Sequence, residues 1–221
     1  MFDQPTNLEY EHYKFLNLEG IRYIKEQNFI NPDLNKVRDL FMLSIYTGGL
    51  DIKEFIISLP EHYLPGMIII NQIYGNPFPY PFINEAKKII DKYAGKYYAL
   101  DILEEKPKNS IDLLNKAKTK EIYLNNYLNI ISTYLNLTNP LKFEEIDIIW
   151  NKLARYLKID KRAINLVSEI NNNKYKRSST KENLELLNKS FNEIYHKINE
   201  TFEEKVSFSE EIKEGNIIYW G

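Results

Sequence analysis

The chain of 221 residues contains no cysteine and only three histidines, His12, His62 and His196. The absence of cysteine excludes disulfides and thiolate-bound metals, and it predicts a cytoplasmic protein. The histidines form no pair with metal-ligand spacing, so we expect no metal and no other cofactor. No apolar run reaches the roughly 18 residues that a membrane-spanning helix needs, and residues 1–13 lack the pattern of a signal peptide. We therefore expect no membrane association.

A large excess of one charge is also missing, because the net charge is only −2. Dedicated nucleic-acid binders are usually basic, so this value argues mildly against strong DNA binding. The basic residues are nevertheless concentrated, since segment 151–190 holds ten basic and four acidic residues, a local charge of +6. They either contact a phosphate backbone without reading sequence or lie on solvated surface. The candidates for phosphate contact are Lys152, Arg155, Lys158, Lys161, Arg162, Lys174, Lys176, Arg177 and Lys181.

An apolar content of 43% suits one globular domain. Hydrophobic periodicity predicts a mainly α fold with a small antiparallel β-hairpin, of the α+β class. Asp33, Asn84 and Asp160 are the predicted caps of their helices. The predicted helices are 18–29, 34–46, 51–59, 84–94, 119–135, 143–157, 160–170 and 180–204. The predicted strands are 66–74 and 78–82, with 97–103 as strand or coil and a terminal strand at 216–220. We divide the chain into a lead-in (1–17), one domain (18–180), and a C-terminal helix with its tail (181–221).

Two predicted helices carry apolar stripes at helical spacing. On the 119–135 helix, we expect the stripe to pack in the core rather than to stack nucleic-acid bases. It comprises Tyr123, Tyr127, Ile130 and Tyr134. On the 180–204 helix, the apolar side either packs on its own domain or supports self-association. It comprises Leu184, Leu187, Phe191, Tyr195 and Ile198.

The stretch from Lys36 to Asp51, KVRDLFMLSIYTGGLD, resembles the opening helix and Thr-Gly turn of the tyrosine recombinase (phage integrase) catalytic domain. Segments 67–93, 123–135 and 146–170 extend the resemblance, which covers about residues 18–180 and is closest to Bacteroidetes-type integrases. No single motif is decisive, but the order and spacing of the segments agree. The resemblance implies a tyrosine-recombinase catalytic-domain-like fold and a role connected with DNA recombination or integration.

The recombinase reaction needs two arginines and a histidine or tryptophan on the phosphate, a lysine acid and a tyrosine nucleophile. Other residue types occupy every matching position. These degenerate positions are Asp51, Ile73, Glu144, Asp147, Ile148, Ile170 and Ser179. Tyr175 is the alternative nucleophile if the loop is shorter, but it lacks an activating base. The resemblance therefore implies a catalytically inactive relative, which binds duplex DNA weakly or associates with itself or a related recombinase through its C-terminal helix.

A function of another class stays open, namely a protein-interaction or structural module that has lost DNA contact. The acidic replacements and the net charge of −2 favour it. An acidic group, Glu144, Glu145 and Asp147, lies at the start of a predicted helix, where carboxylates interact favourably with the helix dipole. The less favoured alternative is that these carboxylates bind a divalent metal together with Asp51. A basic patch that is contiguous on the folded surface would favour DNA binding. Scattered basic side chains would favour the interaction module.

Overall fold

The computed structural model describes residues 16–70, 77–103, 105–137, 139–172 and 180–200. Within these ranges the chain forms eight α-helices and three short strands, which confirms the mainly helical α+β class. The helices are α1 Leu18–Glu26, α2 Pro32–Tyr46, α3 Ile52–Ile56, α4 Asn84–Lys92, α5 Ser110–Tyr134, α6 Ile146–Tyr156, α7 Lys161–Asn171 and α8 Lys181–Asn199. The strands are β1 Tyr63–Leu64, β2 Met67–Ile70 and β3 Phe78–Pro81, and single 3-10 turns occupy Pro60–His62 and Phe143–Glu145.

The strands form one antiparallel sheet in the order β1-β2-β3. β2 pairs with β3 from Met67 opposite Pro81 to Ile70 opposite Phe78. Because proline has no N–H for the ladder, the prolines of β3 predict an edge strand, and β3 does lie at the edge. The short strand β1 was not predicted, since two residues carry no readable alternation. The predicted extension of β2 beyond Ile70, with Ile73, lies outside the described residues.

Two of the three predicted caps are wrong. α2 begins at Pro32, and the Asn31 side chain accepts the N–H of Asp33 at 2.8 Å. Proline is favoured at the first helical position because its missing N–H has no partner there, and this moves the cap to Asn31. In α4, Asn84 is itself the first helical residue, and no side chain caps the helix.

The third predicted cap is confirmed, because Asp160 accepts the N–H of Arg162 at 2.8 Å at the start of α7.

α5 begins at Ser110 rather than at 119, since the Asn109 side chain accepts the N–H of Asp112 at 2.9 Å. The segment between the predicted helices 84–94 and 119–135 therefore contains the first turns of α5. Segment 97–103, which was predicted as strand or coil, has a single bridge in the structure, between Ala94 and Leu100.

The predicted core stripe of α5 is wrong. Tyr123, Ile130 and Tyr134 are 44%, 51% and 58% exposed, and Tyr127 is half-buried. α5 carries apolar residues on two sides, and the aliphatic side is the one that packs inward. The buried side consists of Ala117, Glu121, Leu124, Leu128 and Ile131.

The core is built around α2, which packs against α1, α4, α5, α6 and α8. Phe191 of α8 lies between Trp150 of α6 and Tyr80 of β3, with ring centroids 6.1 and 5.6 Å away. All three side chains are almost fully buried. The apolar side of α8 therefore packs in the core of its own chain, although Leu184 and Tyr195 are only partly buried.

Candidate nucleic-acid interface

α6 has two chemically different sides. Trp150, Leu153 and Ala154 are buried, because their spacing places them on the face that meets the core. Lys152, Arg155 and Tyr156 lie exposed on the outer side, and Tyr156 is 67% exposed. The outer side of this helix thus presents cations and one aromatic ring to solvent.

The end of α6 forms a Schellman motif, the common two-bond helix stop. The N–H of Lys158 donates to the Arg155 carbonyl at 3.1 Å, and the N–H of Ile159 donates to the Ala154 carbonyl at 2.9 Å. Lys158 has φ +58°, in the left-handed region. Glycine is the usual residue there, because a side chain in this region costs about 1–2 kcal/mol.

Two other helices end in the same way with better-suited residues. α2 uses Gly48 at φ +74°, and α5 uses Asn136 at φ +53°. Glycine has no side-chain penalty, and asparagine tolerates the left-handed region. Lysine has neither advantage, so Lys158 is the strained residue among these three helix ends. Backbone strain of this kind is a reason to look for function at the turn.

α7 begins immediately after this turn and adds two exposed cations, Lys161 and Arg162. Arg162 Nη2 lies 2.9 Å from Asp160 Oδ2, and the hydrogen bonds from Arg162 lower the pKa of Asp160 below its ordinary value. The charge of Arg162 is therefore compensated locally. Lys161 has no such partner within the described ranges.

We name the surface formed by these residues the α6–α7 turn cluster. It comprises Lys152, Arg155, Tyr156, Lys158, Lys161 and Arg162. Arg155, Lys158 and Lys161 are exposed and form no ion pair with any residue that the structure describes. They are three residues apart, so consecutive members have Cα atoms no more than about 11 Å apart. Five of the nine predicted phosphate contacts thus share one turn and its flanking helices.

The remaining predicted contacts do not extend this cluster in the described structure. Lys181 lies on the first turn of α8 and its Nζ is 3.7 Å from Glu185 Oε1, so its charge has a partner. The other three, Lys174, Lys176 and Arg177, lie outside the described residues, as do Tyr175 and Ser179.

Asp51 has a structural role at the start of α3. Its Oδ1 accepts the N–H of Lys53 at 2.8 Å, and its Oδ2 lies 3.1 Å from Lys53 Nζ. Lys53 Nζ also lies 3.1 Å from Glu121 Oε1, and Glu121 is 3% exposed. Burial raises the pKa of Glu121, and the hydrogen bond from Lys53 opposes that rise only in part.

Of the other degenerate positions that the structure describes, two are acidic and lie around the start of α6, and two are isoleucines of α6 and α7. Asp147 lies at the start of α6 beside the Thr-Gly turn, where a Cβ on Gly49 would be 2.8 Å from its Cα. Glu144 lies within electrostatic reach of Glu121. Ile148 is 50% exposed on α6, whereas Ile170 is 1% exposed in the core and cannot face a ligand. The start of α6 and the nearby start of α3 are therefore acidic, with Lys53 as the cation that partners Asp51 and Glu121.

This acidic region does not form a metal centre in the described structure. Across the described ranges, no three histidine, aspartate or glutamate side chains converge as metal ligands. The alternative metal site that joined Asp51 to the acidic start of α6 is therefore not found there. Sequence reasoning missed the Lys53–Glu121 pair, because its members are 68 residues apart and nothing local marks a buried glutamate in a helix.

No protein-family model, curated protein or solved structure matches the chain. The described helices include none that is both long enough and apolar enough to cross a lipid bilayer. The physical character of the surface is therefore what guides a functional assignment.

Proposed function

We propose that this protein is a non-catalytic DNA-binding protein that contacts the phosphate backbone through the α6–α7 turn cluster. The observation that supports this proposal is a group of three exposed cations at the α6–α7 turn, Arg155, Lys158 and Lys161, which have no ion-pair partner among the described residues. Lys158, the middle residue of the three, has a strained backbone conformation, and a glycine at this position would relieve the strain. A lysine at such a position is explained if its charge is needed there.

The chemistry of the cluster suits phosphate contact more than base recognition. Lysine and arginine that neutralise phosphates release condensed counterions, which gives affinity without sequence preference. The net charge of −2 confines the attraction to this surface and keeps binding weak. The complex should therefore dissociate readily as salt rises.

The resemblance to tyrosine recombinases supports the same assignment, because it also implies that segment 151–190 lies on the DNA-facing side of the domain. Carboxylates at Asp51, Glu144 and Asp147 would repel a phosphate diester where the family has positive charge. We accordingly propose an inactive recombinase-like role in DNA recombination or integration, in the cytoplasm, without strand cleavage.

The test is fluorescence anisotropy of a labelled duplex at about 50 mM salt, where phosphate contacts are strong. One variant combines Arg155→Glu, Lys158→Glu and Lys161→Glu. Its control combines Lys96→Glu, Lys106→Glu and Lys108→Glu, which are exposed lysines before α5 and give the same net charge. We expect the first variant to lose binding and the control to bind like the wild type.

A second candidate is a protein-interaction module that has abandoned DNA contact. The acidic surroundings of Lys53 favour it, because three carboxylates, those of Asp51, Glu121 and Glu144, and one cation suit a basic protein partner better than DNA. Absence of binding by the wild-type protein at about 50 mM salt would overturn the DNA proposal and leave this one. Equal loss in both triple variants would show a non-specific effect of net charge and would also count against the cluster.

A further inference from the structure

One side of α5 is an exposed aromatic surface that continues into the α1–α2 loop. The Phe29 and Tyr134 rings meet edge to face with centroids 5.7 Å apart. Ile30, next to Phe29, is 87% exposed. We name this surface the α5 aromatic face. It comprises Phe29, Ile30, Tyr123, Tyr127, Ile130 and Tyr134.

The side chains of the α5 aromatic face are held in place. The hydroxyls of Tyr123 and Tyr127 are 3.0 Å apart, and their ring centroids are 5.0 Å apart. The Tyr127 hydroxyl donates to Asp33 Oδ2 at 3.2 Å, which ties α5 to the start of α2. A preformed apolar surface of this kind marks an interaction site, because contiguous exposed apolar patches are uncommon on isolated domains.

We propose that the face is covered by residues 216–220 of the same chain, Asn216-Ile217-Ile218-Tyr219-Trp220. The first argument is chemical. Four of these five residues are large and apolar or aromatic, whereas residues 201–215 between α8 and this segment include five glutamates. Aromatic side chains gain from pairing with one another beyond their buried area, so Tyr219 and Trp220 suit a face that presents tyrosine rings.

The second argument is where the tail starts. α8 ends against α1, because Arg22 Nε donates to the Ile198 carbonyl at 3.1 Å and Lys25 hydrogen-bonds the Asn199 side chain. α1 leads directly into Phe29 and Ile30. Ile30 is five positions after Lys25, so their Cα atoms are no more than about 19 Å apart. The tail therefore leaves α8 close to one end of the α5 aromatic face.

The third argument is length. Residues 201–215 can span up to about 50 Å when extended, which is more than the distance they need to cover. On α5, the stripe from Tyr123 to Tyr134 is about 17 Å long, because a helix rises about 1.5 Å per residue. Five extended residues also span about 17 Å. The tether supplies a high local concentration, so even a weak contact suffices for docking.

The two tryptophans of the chain allow a direct test in the full-length protein. Trp150 is fully buried, and the other tryptophan is Trp220. Acrylamide quenching and the emission maximum therefore report on Trp220 once the signal of a Trp220→Phe variant has been subtracted. Docking predicts a protected, blue-shifted Trp220 in the wild-type protein at every protein concentration.

The disrupting variant is Ile130→Asp, and the matched control is Ile122→Asp. Both isoleucines lie on α5 and are 51% and 54% exposed, but Ile122 lies about 80° around the helix from Ile130, away from the face. We expect Ile130→Asp to red-shift Trp220 and expose it to acrylamide, while Ile122→Asp leaves it protected. Tyr134→Asp is a second disrupting variant, and circular dichroism verifies that each protein is folded.

Three results would overturn the proposal. A freely quenched Trp220 in the wild-type protein would show that the segment is undocked. Equal effects of Ile130→Asp and Ile122→Asp would place its contact elsewhere. Protection that is lost on dilution would mean that a second copy, rather than the same chain, covers the face. None of these results bears on DNA binding, so the two proposals are tested separately.

Discussion

Replacement of Lys158 by glycine should stabilise the protein and weaken DNA binding in the same molecule. The residue has φ +58° at the end of α6, where its N–H donates to the Arg155 carbonyl. Glycine can keep that hydrogen bond and the Schellman motif while removing the side chain that disfavours the conformation. The substitution also removes one of the three cations of the α6–α7 turn cluster that have no ion-pair partner among the described residues.

The expected magnitude follows from two opposing contributions. Relief of a left-handed conformation stabilises the folded state by about 1–2 kcal/mol. The greater freedom of glycine in the unfolded chain reduces this gain by about 0.5–1 kcal/mol. The net increase in the free energy of unfolding is therefore about 1 kcal/mol, or about 2–4 °C in Tm for a chain of this size.

The assay is thermal and urea unfolding beside DNA titration, with Lys158→Ala as the matched control. Alanine removes the same charge but keeps the steric cost of the left-handed region. We expect Lys158→Gly alone to gain stability, whereas both variants lose DNA affinity equally. If Lys158→Gly were no more stable than Lys158→Ala, the backbone strain inferred at this turn would be refuted. If neither variant lost affinity, the charge of Lys158 would have no role in binding.

Three further predictions concern the fold. Phe191→Ala should lower the free energy of unfolding by about 3–5 kcal/mol in urea titration, because it leaves a cavity at the centre of the core; a loss near zero would contradict that placement. Gly49→Ala should lower the free energy of unfolding by about 2 kcal/mol or more in the same assay, because Gly49 has φ +73° and the new Cβ would meet the Asp147 backbone. An alanine variant as stable as the wild type would contradict this close approach. Burial raises the pKa of Asp39, but hydrogen bonds from Lys92 and two other neighbours outweigh it and hold that pKa below its ordinary 3.8. The stability that this carboxylate contributes is present above pH 3.8 and is lost as pH falls through the lowered pKa, so Asp39→Asn should cost about 2 kcal/mol near pH 7 and almost nothing in strong acid. A cost that does not change with pH would contradict this assignment.

The helix starts that sequence reasoning located best are those marked by a local capping residue. α7 follows the predicted cap Asp160, and α8 follows Thr180, whose side chain accepts the N–H of Asn183 at 3.2 Å. The first strand of the hairpin was predicted from the aliphatic run of β2, and the prolines of β3 indicated that the returning strand lies at an edge. α5 was cut short because its first turns contain mostly polar residues, and only the cap at Asn109 marks its start.

The candidate site was predictable in part. The local excess of basic residues between 151 and 190 indicated the right segment, but charge counting does not show which cations have partners. The compensation of Arg162 by Asp160 and of Lys181 by Glu185 appears only once side chains are placed. The left-handed conformation of Lys158 has no sequence signal, because lysine is not a residue that marks such a turn.

The orientation of α5 was mispredicted for a physical reason. A tyrosine stripe and an aliphatic stripe both satisfy helical periodicity, so the pattern alone does not say which of them packs inward. The aliphatic side packs inward with Leu124 and Leu128, and its one charged residue, Glu121, is paired with Lys53. A tyrosine hydroxyl usually finds a hydrogen-bond partner when it is buried, and on the outer side those of Tyr123 and Tyr127 lie 3.0 Å apart.

The most direct test of the central claim is the salt dependence of duplex binding by the wild-type protein. If Arg155, Lys158 and Lys161 each neutralise one phosphate, log Kobs should fall against log salt with a slope of about −2.7, which is about 40-fold weaker binding at 200 mM than at 50 mM. The slope should approach zero in the variant that reverses these three charges. A slope unchanged in that variant, or the absence of binding at 50 mM, would contradict the account.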